Sequence, residues 1–151
     1  MSTLMASIPA INDNDMESQH LKIQSLSSEI IKVERLVDEV CQELHVNENH
    51  YANILVSITE AVNNAIIHGN KADSGKWVNV TFNHVDNKSI EFVIEDQGPG
   101  FDYSTLPDPT LPENIEKESG RGIFLMKHLA DKVSFDNNGK IVRLTFNISG
   151  N

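Results

Sequence analysis

Apolar residues recur at Ile30, Val33, Val37, Val40 and Leu44, at spacings of three and four. That rhythm predicts an amphipathic helix ending near Leu44, with Ser27 placed to cap its start. Ahead of it, Leu21 and Ile23 alternate with polar neighbours from His20 to Gln24, a short strand. Asn47 can cap a second helix, and Gly69 stands where a C-terminal glycine ends one. On a wheel at about 100° per residue, Tyr51, Leu55, Ile58, Val62 and Ala65 cluster on one side of this second helix. Glu60 and Asn64 point the opposite way, flanked by Ser57 and Asn63. Val56 and Ile67 share the polar side, so that face is expected to be partly covered rather than simply solvated.

The pattern then changes period. Trp77 to His84 and Ser89 to Glu95 read as two strands joined by a turn at Asp86-Asn87-Lys88. Residues 102 to 119 carry Pro107, Pro109 and Pro112 and show no periodicity. A loop of that length in a compact domain is usually functional or mobile. Gly122 to Ala130 is helical in pattern. Lys132 to Asp136 and Ile141 to Ile148 form a hairpin across Asn137-Asn138-Gly139, a strong turn signal. Residues 1 to 18 lack periodicity and are expected to be a flexible tail before a single domain over 19 to 151. The fold these elements predict is an α/β two-layer sandwich, with helices on one face of a mixed, mostly antiparallel sheet.

Composition narrows the function classes. The 151 residues suit one domain with a real core. Net charge is −10, from 22 acidic against 12 basic residues, which argues against direct nucleic-acid binding. No apolar run approaches the roughly 20 residues of a membrane helix, and no secretory signal is visible. Cys41 is the sole cysteine, so no intrachain disulfide is expected. The six histidines show no ligand spacing, so no structural metal is expected either. His68 reads as a histidine at a helix C-terminus, favoured there by the helix dipole. These features fit a cytoplasmic protein.

Three short segments carry candidate chemistry. The first is TEAVNNAIIHGN, Thr59 to Asn70. It sets the carboxylate of Glu60 one helical turn from the amide of Asn64. An amide oxygen is a hard ligand suited to Mg²⁺, which takes few protein ligands alongside phosphate oxygens and water. A carboxylate one turn away can deprotonate an attacking hydroxyl. The second is EDQGPGFD, Glu95 to Asp102, in which Asp96 leads Gly98 and Gly100 at the end of an apolar strand. A buried aspartate there can accept a hydrogen bond from an exocyclic amine, and glycines let backbone approach a flat base. The third is SGRGIFLMKHLAD, Ser119 to Asp131, where Gly120, Arg121 and Gly122 open a helix. A helix N-terminus built of small residues offers free N–H groups to an anion. Each segment alone is also compatible with a solvated face, a strand-ending turn or an ordinary helix start.

In this order and spacing the three resemble the N, G1 and G2 boxes of the GHKL (Bergerat-type) ATP-binding fold. That fold is shared by gyrase, Hsp90, histidine kinases and MutL. The resemblance implies ATP and Mg²⁺ as cofactors. It makes Glu60 the general base, Asn64 the magnesium-binding asparagine and Asp96 the partner of the adenine amino group. It implies that Gly98, Gly100, Gly120, Arg121 and Gly122 surround the nucleotide, with residues 102 to 119 as its lid. The match is especially similar to the anti-sigma-factor serine kinases of the RsbW and SpoIIAB type, short single domains with similar N and G2 boxes. The chain holds no sequence for the further ATP-contacting domain of gyrase, MutL or Hsp90. The tail before Leu21 is too short for a histidine kinase's dimerisation helices. The resemblance therefore implies phosphorylation of a STAS-domain anti-sigma-factor antagonist and reversible binding of a sigma factor or similar regulator. It also allows a homodimer. Two competing readings are a nucleotide-dependent sequestering module without kinase turnover and a detached histidine-kinase catalytic domain.

Overall fold

The computed structural model describes residues 17–99 and 118–149. Five strands form one sheet in the order β1-β2-β3-β5-β4, with β1 Gln19–Gln24, β2 Trp77–His84, β3 Ser89–Glu95, β4 Lys132–Asp136 and β5 Ile141–Asn147. Three α-helices accompany it among the described residues: α1 Ile30–Glu43, α2 Glu48–Asn64 and α3 Glu118–Leu129. The expected two-layer α/β sandwich is what forms. Every strand pairing among the described residues is antiparallel. Two helices lie between β1 and β2, so the chain returns in the opposite direction and the strands pair antiparallel. One helix is described between β3 and β4, and these two strands run the same way, both being antiparallel to β5. They would pair in parallel as neighbours, but β5 enters between them and runs against both.

Alternation along the strands decides which face the helices cover. Val78, Val80 and Phe82 of β2, Ile90, Phe92 and Ile94 of β3, and Val142, Leu144 and Phe146 of β5 are buried. The register places Val80 beside Ile94 and Phe82 beside Phe92, so buried residues meet across the strands. Phe92 sits at the centre of an aromatic seam. Its ring centroid lies 5.4 Å from that of Phe82, and 6.4 Å from that of Phe146 in an edge-on contact. The opposite face carries Asn79, Thr81, Glu91 and Arg143, all half-buried.

Helix α1 buries Val33, Leu36, Val37, Val40 and Cys41, matching its sequence period. Its start differs from expectation. Ser27–Glu29 forms one tight 3₁₀ turn ahead of the helix, and Ser27 makes no capping bond. Glu29 instead accepts a hydrogen bond from the Gln24 N–H at 3.3 Å and pairs with Lys32 at 2.9 Å. Asn47 does cap α2, its side-chain oxygen accepting the His50 N–H at 2.8 Å.

Helix α2 rotates its buried stripe relative to the wheel. Ile54, Ser57, Ile58, Ala61 and Val62 are the buried positions, Tyr51 and Leu55 are only partly so, and Val56 is exposed. Ser57 can be buried because its hydroxyl donates to the Asn53 carbonyl one turn back, at 2.7 Å. The last turn of α2 does not stop at a glycine cap. It widens into a π-helical turn over Ala65–Gly69, closed by the Asn70 N–H to the Ala65 carbonyl at 2.8 Å. The left-handed residues that follow are Lys71 and Ala72.

Phe92→Ala removes the centre of the aromatic seam. It is expected to lower the unfolding free energy by about 3–5 kcal/mol, read from urea unfolding. A loss below about 1 kcal/mol would mean that the seam collapses around the gap.

Candidate nucleotide site

Of the sequence-selected residues, Glu60, Asn64, Asp96, Gly98 and Gly122 gather around the C-terminal end of α2. Glu60 and Asn64 stand on that helix, both half-buried. Gly122 of α3 lies directly against them. A Cβ on Gly122 would sit 2.9 Å from Asn64 Nδ2 and 3.2 Å from Glu60 Oε2. Helix α3 begins at Glu118, four residues before Gly122 and earlier than the sequence pattern suggested. Gly120 and Arg121 fall within its first turn, so Gly122 is inside the helix rather than at its mouth. Glycine in a helix interior costs about 1 kcal/mol relative to alanine. Here the missing side chain lets α3 close on the polar pair of α2. This explains the partial cover of that face; of the two apolar residues that signalled it in sequence, Ile67 is partly buried while Val56 is exposed.

Asp96 follows the last residue of β3. Its N–H donates to the Lys140 carbonyl at 3.0 Å, prolonging the β3–β5 pairing by one bond. Its carboxylate is buried, 8% exposed. Oδ1 accepts the Gly98 N–H at 2.8 Å. Burial pushes this carboxyl above the usual aspartate range, while the Gly98 N–H and the Lys140 cation oppose the rise. Gly69 and Gly98 make room for it. A Cβ on Gly69 would overlap the Asp96 carboxylate, and one on Gly98 would overlap the Gly69 carbonyl oxygen. Gly69 is thus a glycine for close approach, not for a left-handed helix end. Ala61, Ala65, Ile94, Met126 and Val142 line a narrow apolar cleft beside Asp96.

Two residues were not legible as site residues in sequence. Gly69 read as a helix stop and Asn70 as the end of a motif, yet both touch the Asp96 loop. Asn70 is fully buried, and its side-chain oxygen accepts the Gln97 N–H at 2.7 Å. The signal available was their place in TEAVNNAIIHGN, but their partners lie almost 30 residues away in sequence. Gly100 and the lid expected over 102 to 119, apart from its last two residues, lie outside the described residues. Cys41 is remote from the cleft. Its thiol is pushed up to about 12, by burial first and then by the Asp38 charge, which leaves it inert as a thiolate nucleophile.

The donor set suits a nucleotide. Asn64 Nδ2 is buried and has no hydrogen-bond partner among the described residues. An orphaned buried amide costs about 1–3 kcal/mol, and such groups cluster where a ligand completes the pairing. The buried acid at the apolar cleft adds a specific acceptor to this donor.

The glycine contacts give a direct test. Gly98→Ala forces a Cβ into the Gly69 backbone, and the expected loss is about 1–3 kcal/mol of stability. Gly75→Ala is the control. Its Cβ would meet only the Asp73 Oδ1 at 3.2 Å, the end of an adjustable side chain, and should stay within about 0.5 kcal/mol. Melting curves of the two variants should separate. Equal melting would mean that the loop shifts freely and does not hold Asp96.

Comparison with known proteins agrees with this geometry. Residues 23–146 match the histidine kinase-like ATPase domain. The serine-protein kinase RsbW of Staphylococcus aureus, strains JH9 and Newman, is 34% identical over 98 residues, 60% of this chain and 61% of the relative. The chain thus spans about three-fifths of the curated relatives it matches. A crystal structure of the RsbU and RsbW domains of Rv1364c from Mycobacterium tuberculosis superposes with a TM-score of 0.62 at 16% identity. That superposition covers 90% of this chain and 34% of the other, and it speaks to the fold. With its sequence motifs brought together at one end of α2 and its length matched from β1 to β5, the chain belongs to the histidine kinase-like ATPase domain family.

Proposed function

We propose that this chain is an ATP- and Mg²⁺-dependent protein serine kinase. Its substrate would be a STAS-domain anti-sigma-factor antagonist, and it would hold a sigma factor or similar regulator reversibly. The observation that carries the reading is the Glu60–Asn64 pair under Gly122, with Asn64 lining the same narrow cleft as the buried acid Asp96. Similarity to a serine-protein kinase supports hydroxyl rather than imidazole as acceptor. No helix among the described residues is long and apolar enough to cross a membrane, which accords with a cytoplasmic site of action.

When bound, Mg-ATP supplies the transferable phosphoryl group with part of its charge neutralised. Asp96 accepts a hydrogen bond from the exocyclic amine of adenine, and burial makes that bond selective against bases lacking the amine. Asn64 would offer its amide oxygen to the metal, a hard ligand of the type magnesium prefers. Among the described residues no three His, Cys, Asp or Glu side chains gather to hold a metal, so Asn64 would act beside phosphate oxygens rather than within a protein cage. Glu60 takes the proton from the substrate serine hydroxyl at one carboxylate oxygen. Gly120 and Arg121, in the first turn of α3, would bring that turn toward the phosphates, Gly122 would keep α3 close over the polar pair, and Gly98 and Gly100 of the G1 box would lie beside the base.

Glu60→Gln keeps size and removes the base. Phosphorylation of the antagonist should fall about 10²–10⁴-fold, with ATP affinity and binding of the sigma-type partner retained. Full-rate transfer by the variant would remove Glu60 from the chemistry. An acid-labile product would point to histidine rather than serine, and no product from the unaltered protein would leave a sequestering module.

Asp96→Asn separates recognition from stability. The amide still accepts the Gly98 N–H, but it presents an N–H toward the adenine amine, so ATP affinity should fall about 10- to 100-fold, one charge-assisted hydrogen bond. The folded protein binds the Asp96 proton more readily than the unfolded chain, because its carboxyl is raised. At neutral pH the buried ionised form therefore costs stability, and the cost disappears as pH falls through the folded value. The nucleotide-free variant should melt at or above the parent at pH 7, and the gap should close on acidification. A variant melting well below the parent at pH 7 would give the carboxylate a structural role instead.

A further inference from the structure

We propose that Asn70 is a positioning residue for nucleotide recognition: its buried side-chain amide ties the loop carrying Asp96 to the ends of β1 and β2, and so sets where that carboxylate points. The inference rests on the nucleotide reading above and adds a residue to it.

Asn70 lies immediately after the π-helical turn and is 0% exposed. A side-chain amide has two N–H donors and one oxygen acceptor, and all are used. Nδ2 donates to the Ser25 hydroxyl at 2.8 Å and to the Trp77 carbonyl at 3.0 Å. Oδ1 accepts the Gln97 N–H at 2.7 Å. Ser25 is itself fixed, its hydroxyl donating to the Lys76 carbonyl at 2.8 Å. Gln97 returns the tie, its side-chain oxygen accepting the Trp77 N–H at 2.6 Å.

These bonds end where the regular sheet ends. Asp96 is the last residue of this segment whose N–H reaches β5's side of the sheet, through the Lys140 carbonyl. The next two N–H groups have no strand partner. Gln97 is held by Asn70, and Gly98 by the Asp96 carboxylate itself. The orientation of Asp96 Oδ1 therefore follows Gly98, and Gly98 follows Gln97 and the Gly69 carbonyl it rests against. Removing the Asn70 amide frees Gln97 first and the carboxylate second. A fully buried, three-bonded amide also stabilises the fold, so stability by itself does not distinguish positioning from packing. Base selectivity does. A looser carboxylate loses discrimination for the exocyclic amine, whereas a less stable but folded protein keeps it.

The test uses the full chain with Asn70→Ser and Ser25→Ala, at a temperature where each is folded. Binding of a non-hydrolysable ATP analogue and its GTP counterpart is measured by calorimetry. Amide exchange at Gln97 and Gly98 is followed without nucleotide. Asn70→Ser should weaken the ATP analogue about tenfold, on the order of one hydrogen bond, and the GTP analogue far less. Exchange at Gln97 and Gly98 should accelerate while Phe92 and Ile94 stay protected. Ser25→Ala, which removes one of the three partners, should shift both readouts the same way by less. If Asn70→Ser does not fold, Ser25→Ala decides by the same criteria. Unchanged selectivity and unchanged exchange in a folded variant would overturn the proposal. Failure of the unaltered protein to bind either analogue would instead overturn the nucleotide reading, and the exchange arm would still report whether Asn70 holds the loop.

Discussion

The Asp96 carboxylate lies against the bare Cα of Gly69, and the Gly69 carbonyl lies against the bare Cα of Gly98. A side chain at Gly69 would displace the Asp96 carboxylate, and one at Gly98 would require backbone to move. This contact joins the end of α2 to the end of β3, and both halves of the candidate site hang from it. The buried acid is on one side. On the other, one and two turns back along α2, stand Asn64 and Glu60. Van der Waals contact this close makes the spacing between acid and polar pair a property of the backbone rather than of adjustable side chains.

Around that contact the protein accepts local costs. A carboxylate is buried with its proton affinity raised, an amide nitrogen is left unpartnered, α2 ends in a π turn, and α3 carries a glycine inside its helix. Each runs against the preference of an isolated element. They fall within one region, while the rest of the core follows ordinary alternation and helical period. Such concentration is expected where a surface is prearranged for a ligand, since strain persists only where surrounding packing over-determines it.

The polar pair and the acid are also insulated differently. Asn64 and Glu60 are half-buried under α3, with Gly122 directly against them and Asn64 Nδ2 shut off from solvent. Asp96 is nearly closed off beside apolar Ile94, Met126 and Val142. A low-polarity surrounding strengthens a specific hydrogen bond, which under the proposed reading would serve a base at Asp96, whereas proton transfer at Glu60 would need access for a protein substrate.

Much of this was determined by sequence alone. Period two set β2 and β3 at their observed limits, period 3.6 set α1, and Asn47 capped α2 as its side chain required. Glu60 and Asn64 had to be neighbours because they are one turn apart on one helix. Those are local facts, governed by backbone geometry within a few residues. The tertiary structure decided the rest. Ser57 was buried because a neighbour within its own helix satisfied it once the core closed, and Ser27 lost its capping role when Glu29 reached back to Gln24. The hairpin of β4 with β5 was legible from its Asn-Asn-Gly turn, but the pairing of β5 with β3 on its other edge was settled only in the sheet. Gly69, Gly122 and Asn70 owe their roles to groups 27 or more residues away for two of them, and more than 50 for Gly122. A missing Cβ or a buried amide carries no periodic signal. Its meaning arises only when packing brings a distant carboxylate, backbone carbonyl or amide into the space it leaves.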